Sequence, residues 1–199
     1  MISKSIAAGF IGLALLSNPT LAAESPLRVQ VTLPSTMEWE LATNKSDDHQ
    51  YLREWILKGS SFETTKWLIV EQKLILPKKV SAKNYLASIF SSAKAACSHV
   101  LFNGPEKLNL KNAESVAGRF MCAQQIGKNY GTFTDQRVIT DGKAVFVITS
   151  EIRTDVTEKA GVFAFPDKEA VSRFMQKQDI SAKFVRNAIS ICSTDSTGC

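Results

Sequence analysis

The segment "TFTDQRVIT", followed by Asp141-Gly142 and then "KAVFVITSEIR", limits the chain more than any other stretch. Two runs rich in β-branched and aromatic residues flank a dipeptide that favours positive backbone dihedrals. The pattern predicts an antiparallel hairpin with a two-residue type I′ turn at Asp141-Gly142. A lone hairpin is marginal in water, so further strands are needed to bury its apolar side chains.

Upstream segments supply them. "LRVQVTLP" places Leu27, Val29, Val31 and Leu33 on one side, and "MEWEL" does the same with Met37, Trp39 and Leu41. "YLREWIL" and "KWLIVEQKLILP" continue the alternation after a polar cluster at 42–50 and a loop at 58–64. Period-two alternation marks half-buried strands, and four strands with short connections predict an antiparallel meander. At Ser81 the period changes. Apolar residues at 85, 86, 89, 90, 93, 97 and 100 have helical spacing, with Ser81 as N-cap and Asn103-Gly104-Pro105 as terminator. "ESVAGRFMCAQQI" is strand-like, with Val116, Phe120 and Cys122 on one side, and "GKNYG" is a turn. "VFAF" at 162–165 is a short strand or an extended lead-in. Asp167 caps a helix through "KEAVSRFMQK", and Ser181 caps another through "AKFVRNAISIC", whose stripe holds Phe184, Val185, Ala188, Ile189 and Cys192. The expected order is four strands, a long helix, three strands and a terminal helical hairpin. That is an α+β fold, an antiparallel sheet with helices packed on it.

The first 23 residues have a different character. Lys4 is followed by an apolar run from Ile6 to Leu16, then Asn18-Pro19 and the small residues Ala22 and Ala23. This is the order of a secretory signal peptide, and its apolar core of about 11 residues is too short to span a bilayer. Cleavage after Ala22 or Ala23 fits, with Ala23 preferred, and no cysteine follows for lipid attachment. The expectation is a signal peptide at 1–23, a single globular domain at 24–199 and no transmembrane anchor. A short signal with one lysine suits a Gram-negative bacterium, with a periplasmic or secreted destination.

Export changes the meaning of the cysteines. Cys97, Cys122, Cys192 and Cys199 all lie in the exported part, and an even count in an oxidising compartment reads as two disulfides. Four cysteines allow three pairings. The favoured one joins Cys97 to Cys122 and Cys192 to Cys199. A bond closing about 25 residues stabilises by about 3 kcal/mol on the loop-entropy model. A catalytic thiol is disfavoured: Cys97 comes late in its helix, its nearest histidine is two residues on, and no C-x-x-C motif is present.

Other chemistry is sparse. His49 and His99 are the only histidines, and "DDH" at 47–49 lacks the further ligands that a zinc site needs. No phosphate-loop, calcium-loop or G-x-S-x-G stretch occurs. Asp135, Asp141, Glu151 and Asp155 fall in or near the hairpin and are the candidate carboxylates for acid–base work. Glu151 and Arg153 alternate in phase, and Arg137 is a candidate cross-strand partner for Glu151. The bland alternative is a solvated sheet face. Trp39, Trp55 and Trp67 are read as core, with a ligand groove as the alternative. Asn44-Lys45-Ser46 is a glycosylation sequon, relevant only in a eukaryotic host. The net charge of +5, or +4 without Lys4, is spread out with no basic stripe, which argues against nucleic-acid binding.

The order of strands, long helix, hairpin and closing helix over 27–192 resembles the Mog1/PsbP-like layered fold. The stretch from Cys122 through "GKNYGTFTDQRVITDGKAVFVITSEIR" is similar to small uncharacterised exported proteins of Gram-negative bacteria. The resemblance implies an accessory or binding protein without a catalytic centre. The second terminal helix and the Cys199 tail depart from it. The expected function is thus a secreted or periplasmic noncatalytic protein, with an unknown protein or envelope partner and neither metal nor cofactor. The alternatives are an exported enzyme using the hairpin carboxylates or a free cysteine, and a secreted virulence factor.

Overall fold

The computed structural model describes residues 27–163 and 165–192, Cys192 by its backbone only. The expected signal peptide, its cleavage site, the tail and the Cys192–Cys199 bond lie outside the described residues.

Seven antiparallel strands form one sheet in the order β2-β3-β4-β8-β7-β6-β5. They are β2 (Trp39–Ser46), β3 (Gln50–Leu57), β4 (Trp67–Ile75), β5 (Val100–Lys107), β6 (Glu114–Cys122), β7 (Gly131–Thr140) and β8 (Ala144–Thr154). Two meanders, β2–β4 and β5–β8, meet where β4 pairs with β8. Helix α1 (Ala82–Ala96) connects them and packs over β5, β6 and β7 on one sheet face. There Ala82 and Leu86 bury against Val116, Val138, Val145 and Val147. Close approach is possible because a Cβ on Gly118 would lie only 2.9 Å from Leu86 Cδ2. Helix α2 (Lys168–Asn187) covers the other face, placing Phe184 and Val185 against Ile69, Ile139, Phe146 and Ile148. β7, in the middle of the second meander, is buried along its whole length.

The α+β expectation with an antiparallel sheet therefore holds, and two of the three expected helix caps, Ser81 and Asp167, are as read. Ser81 accepts from the Asn84 amide and Asp167 from the Ala170 amide. Several elements differ. "LRVQVTLP" does not join the meander. Its strand β1 (Arg28–Val31) pairs with β9 (Ile189–Cys192) in a separate two-stranded ribbon. β9 replaces the end of the expected last helix. Ser181 is no cap, and α2 runs straight through it, because no glycine or proline interrupts 167–188 and its stripe continues through Ser181 to Phe184 and Val185. Beyond Ala188, Ile189 and Ile191 alternate and pair with β1.

The long helix likewise stops earlier than its periodicity implies. Cys97 has an extended backbone, and β5 follows as an edge strand, so the second meander has four strands rather than three. β5 accommodates Gly104-Pro105 at a register shift opposite β6, as an edge position permits. The polar cluster at 42–50 is mostly β2, the opposite edge, where a polar exposed strand resists further pairing. Only 47–49 turn, with Asp47 Oδ1 accepting from the His49 and Gln50 amides. The Asp141-Gly142 turn is not a two-residue type I′. Thr140 pairs with Val145, Asp141 Oδ1 accepts from the Lys143 and Ala144 amides, and of the two only Gly142 has positive φ, 89°. Phe163 and Phe165 form no strand; their rings pack at a tilt against Phe174 of α2.

Candidate functional site

Cys97 and Cys122 form a disulfide with a Cα separation of 5.6 Å. Both are buried, and the bond ties the end of α1 to the end of β6. Neither sulfur is a nucleophile in this state.

The hairpin carboxylates do not converge. Cross-strand register sets Asp135 opposite Ser150 and Glu151 opposite Thr134, so Asp135 and Glu151 point to opposite sheet faces. Asp141 serves its turn, and Asp155 is exposed past the end of β8. The expected Arg137–Glu151 pair is absent for the same reason. Arg137 aligns with Ile148 and donates to Ser115 Oγ and to the Val185 and Arg186 carbonyls, closing the C-terminal end of α2 onto the sheet. Burial pushes its guanidinium below the usual arginine range.

Two polar clusters result. On the α2 face, Arg119 Nε and Nη2 donate to Asp135 at 2.7 and 3.2 Å, and Ser181 Oγ donates to Asp135 Oδ2 at 2.6 Å. The Ser150 hydroxyl lies 2.9 Å from Ser181 Oγ and accepts from Trp67 Nε1 at 2.9 Å. Each hydroxyl carries one proton, so the bonds run in a line from Trp67 through Ser150 and Ser181 to Asp135. Ser181, Ser150 and Trp67 are fully buried, which makes this a structural clasp between helix and sheet. Further along the same face, Tyr51 donates to Glu71 at 2.6 Å; burial and that bond raise the phenol far above its usual value.

On the α1 face, Arg153 stacks over Tyr130, donates to the Phe62 and Thr65 carbonyls and pairs with Glu151 at 3.4 Å. It thereby holds the 58–66 loop against the sheet. Burial raises the Glu151 carboxyl above its ordinary value; Arg153 opposes the shift and the neighbouring Glu54 charge adds to it. Glu54, 7% exposed, has no hydrogen bond or ion pair among the described residues. Gln136 Nε2 donates to Thr149 Oγ1 at 3.1 Å, while its buried Oε1 lacks a partner.

The reading of the hairpin missed Glu54 and Gln136. The available signal was position: both are polar residues inside strands flanked by apolar neighbours, where strand order decides whether the side chain meets water. The tryptophans are in or against the core, Trp67 completely so, with Trp39 donating to the Pro34 carbonyl. His49 lies in the β2–β3 turn and His99 just before β5, both exposed. Among the described residues no three His, Cys, Asp or Glu side chains gather as a metal set. An open depression of about 520 Å³ runs along Lys107–Ser115, and a shallower one of about 370 Å³ lies between Val80 and Gly142. Neither is lined by Asp135, Glu151 or Arg153. No protein-family model and no curated protein matches this chain.

Proposed function

We propose that the chain is an exported, noncatalytic binding or accessory protein that acts in the periplasm or outside the cell. The Cys97–Cys122 disulfide carries the reading. Such bonds persist in oxidising compartments, and this one occupies the Cys97 and Cys122 thiols. The dispersal of the hairpin carboxylates supports it further, since Asp135 is committed to Arg119 and Ser181, and Glu151 to Arg153. The resemblance to Mog1/PsbP-like accessory proteins belongs to this proposal.

The test is expression of the full chain in a Gram-negative host, with fractionation, intact mass without reductant and peptide mapping. The expected product is periplasmic or secreted, begins after Ala23 and contains a Cys97–Cys122 peptide that alkylation leaves untouched. A full-length cytoplasmic chain with both thiols free overturns the exported reading. A turnover lost in Asp135→Asn or Glu151→Gln overturns the noncatalytic one.

A further inference from the structure

Helix α1 covers β5, β6 and β7 on its sheet face and reaches Val145 and Val147 at the start of β8. Among the described residues no helix lies over β2, β3, β4 and the far end of β8; the 58–66 loop folds over one end through Arg153. What remains open carries the half-buried Leu52, Val70, Gln72 and Leu74, with Glu54 beside Val70 at one end. Register fixes a row across four strands: Glu54 on β3, Val70 on β4, Thr149 on β8 and Gln136 on β7. The Gln136 amide leans along this row, since its Nε2 reaches Thr149. Glu151 lies two residues beyond Thr149 on the same face, close enough for Glu54 to affect its ionisation.

The polar atoms here share one deficiency. Glu54 is more than nine-tenths buried with no donor, Gln136 Oε1 is buried with no donor, and Glu151 receives a single long bond from Arg153. All are acceptors. A buried acceptor left unpaired, as Gln136 Oε1 is, costs the desolvation of that group, whereas the unpaired Glu54 carboxylate oxygens still reach solvent. Lys45 on β2, opposite Leu52, is exposed and makes no ion pair with Glu54 among the described residues. The whole chain is basic, at +5, so this acidic patch is a local feature and not part of a general negative field.

We propose that this open half-face binds a cationic hydrogen-bond donor, the guanidinium or ammonium group of an arginine or lysine side chain presented by a partner polypeptide. Such a group supplies several N–H donors, first to the Glu54 carboxylate and then to its neighbours Glu151 and Gln136, and its methylene stem packs on Val70 and Leu52. The inference rests on the reading of the chain as a binding protein and names the surface and chemistry that the binding uses.

The test is an amide-resolved NMR titration of the mature chain with N-acetyl-arginine amide. N-acetyl-citrulline amide is the neutral control and calcium chloride the metal arm. The expected result is saturable shifts confined to residues around Glu54, Val70, Gln136, Thr149 and Glu151 with the arginine probe and none with citrulline. Glu54→Gln should weaken the arginine probe about tenfold, the loss of one charge-assisted bond. Gln136→Met should weaken it by a smaller factor, and each variant's own spectrum reports whether it is folded. No saturable shift, equal affinity in folded Glu54→Gln, or a response to calcium alone overturns the site. Saturable shifts elsewhere also overturn it but leave the binding reading standing; that reading falls only to a measured turnover.

Discussion

Asp135 is a carboxylate whose role is decided by its neighbours. Arg119 grips both of its oxygens, and Ser181 reaches it from α2 across the helix–sheet boundary. Ser181→Ala removes the middle of the line from Trp67 to Asp135 while the Arg119 bonds remain. The expected cost is about 1–2 kcal/mol, read as a lower urea midpoint at unchanged slope. An unchanged midpoint would mean that the clasp adds nothing beyond packing. Glu151 makes a prediction of the opposite electrostatic sign. Its folded value is raised above the ordinary 4.5. Between those two values the folded protein holds a proton that the unfolded chain has released, so stability falls as pH rises through that window and is level above it. Glu151→Gln should flatten this part of the stability profile. Asp47 and Glu63 are lowered by their hydrogen bonds, so their contributions disappear only as pH falls below the ordinary carboxylate range. A midpoint-versus-pH series on both proteins separates the two windows.

At the scale of elements, the β1–β9 ribbon is the least local part of the fold. Its strands come from opposite ends of the described chain, and Leu27 and Ile189 are buried where it meets the main sheet. Truncation after Ala188 removes β9 and the β1–β9 ladder with it. Hydrogen exchange should then lose protection at the β1 amides while β3, β4, β7 and β8 keep theirs. Retained protection in β1 would show that it stands without the ribbon. The same element shows what could be read in advance. Alternation at Val29 and Val31 marks a strand, but nothing local names Ile189–Cys192 as its partner. The caps at Ser81 and Asp167 and the inward face of Cys122 were legible because each depends on a few adjacent residues. β5 was not, because Gly104-Pro105 reads locally as a terminator and becomes tolerable only on an edge. The open half-face was hidden too. Whether Glu54 and Gln136 share a row depends on β4 pairing with β8, and those strands are separated in sequence by α1 and three strands.

That β4–β8 ladder also determines how the whole molecule should unfold. All three tryptophans, Trp39, Trp55 and Trp67, belong to the first meander, whereas the disulfide lies in the second. Fluorescence therefore reports on one half and the bond constrains the other. If the halves were separable, removing the disulfide would leave the fluorescence transition unmoved. The structure argues otherwise. Trp67 is buried against Phe133 and Ile152 of the second meander, and its indole N–H is held by Ser150. The central strands β4, β8 and β7 cannot part without exposing the core that α2 covers. Replacing both cysteines by alanine should lower stability by about 3 kcal/mol through the freed 25-residue loop. Tryptophan fluorescence and far-ultraviolet dichroism should move together, by the same shift in midpoint, as one cooperative unit requires. A fluorescence transition that stays in place while the dichroism moves would divide the sheet at the β4–β8 ladder.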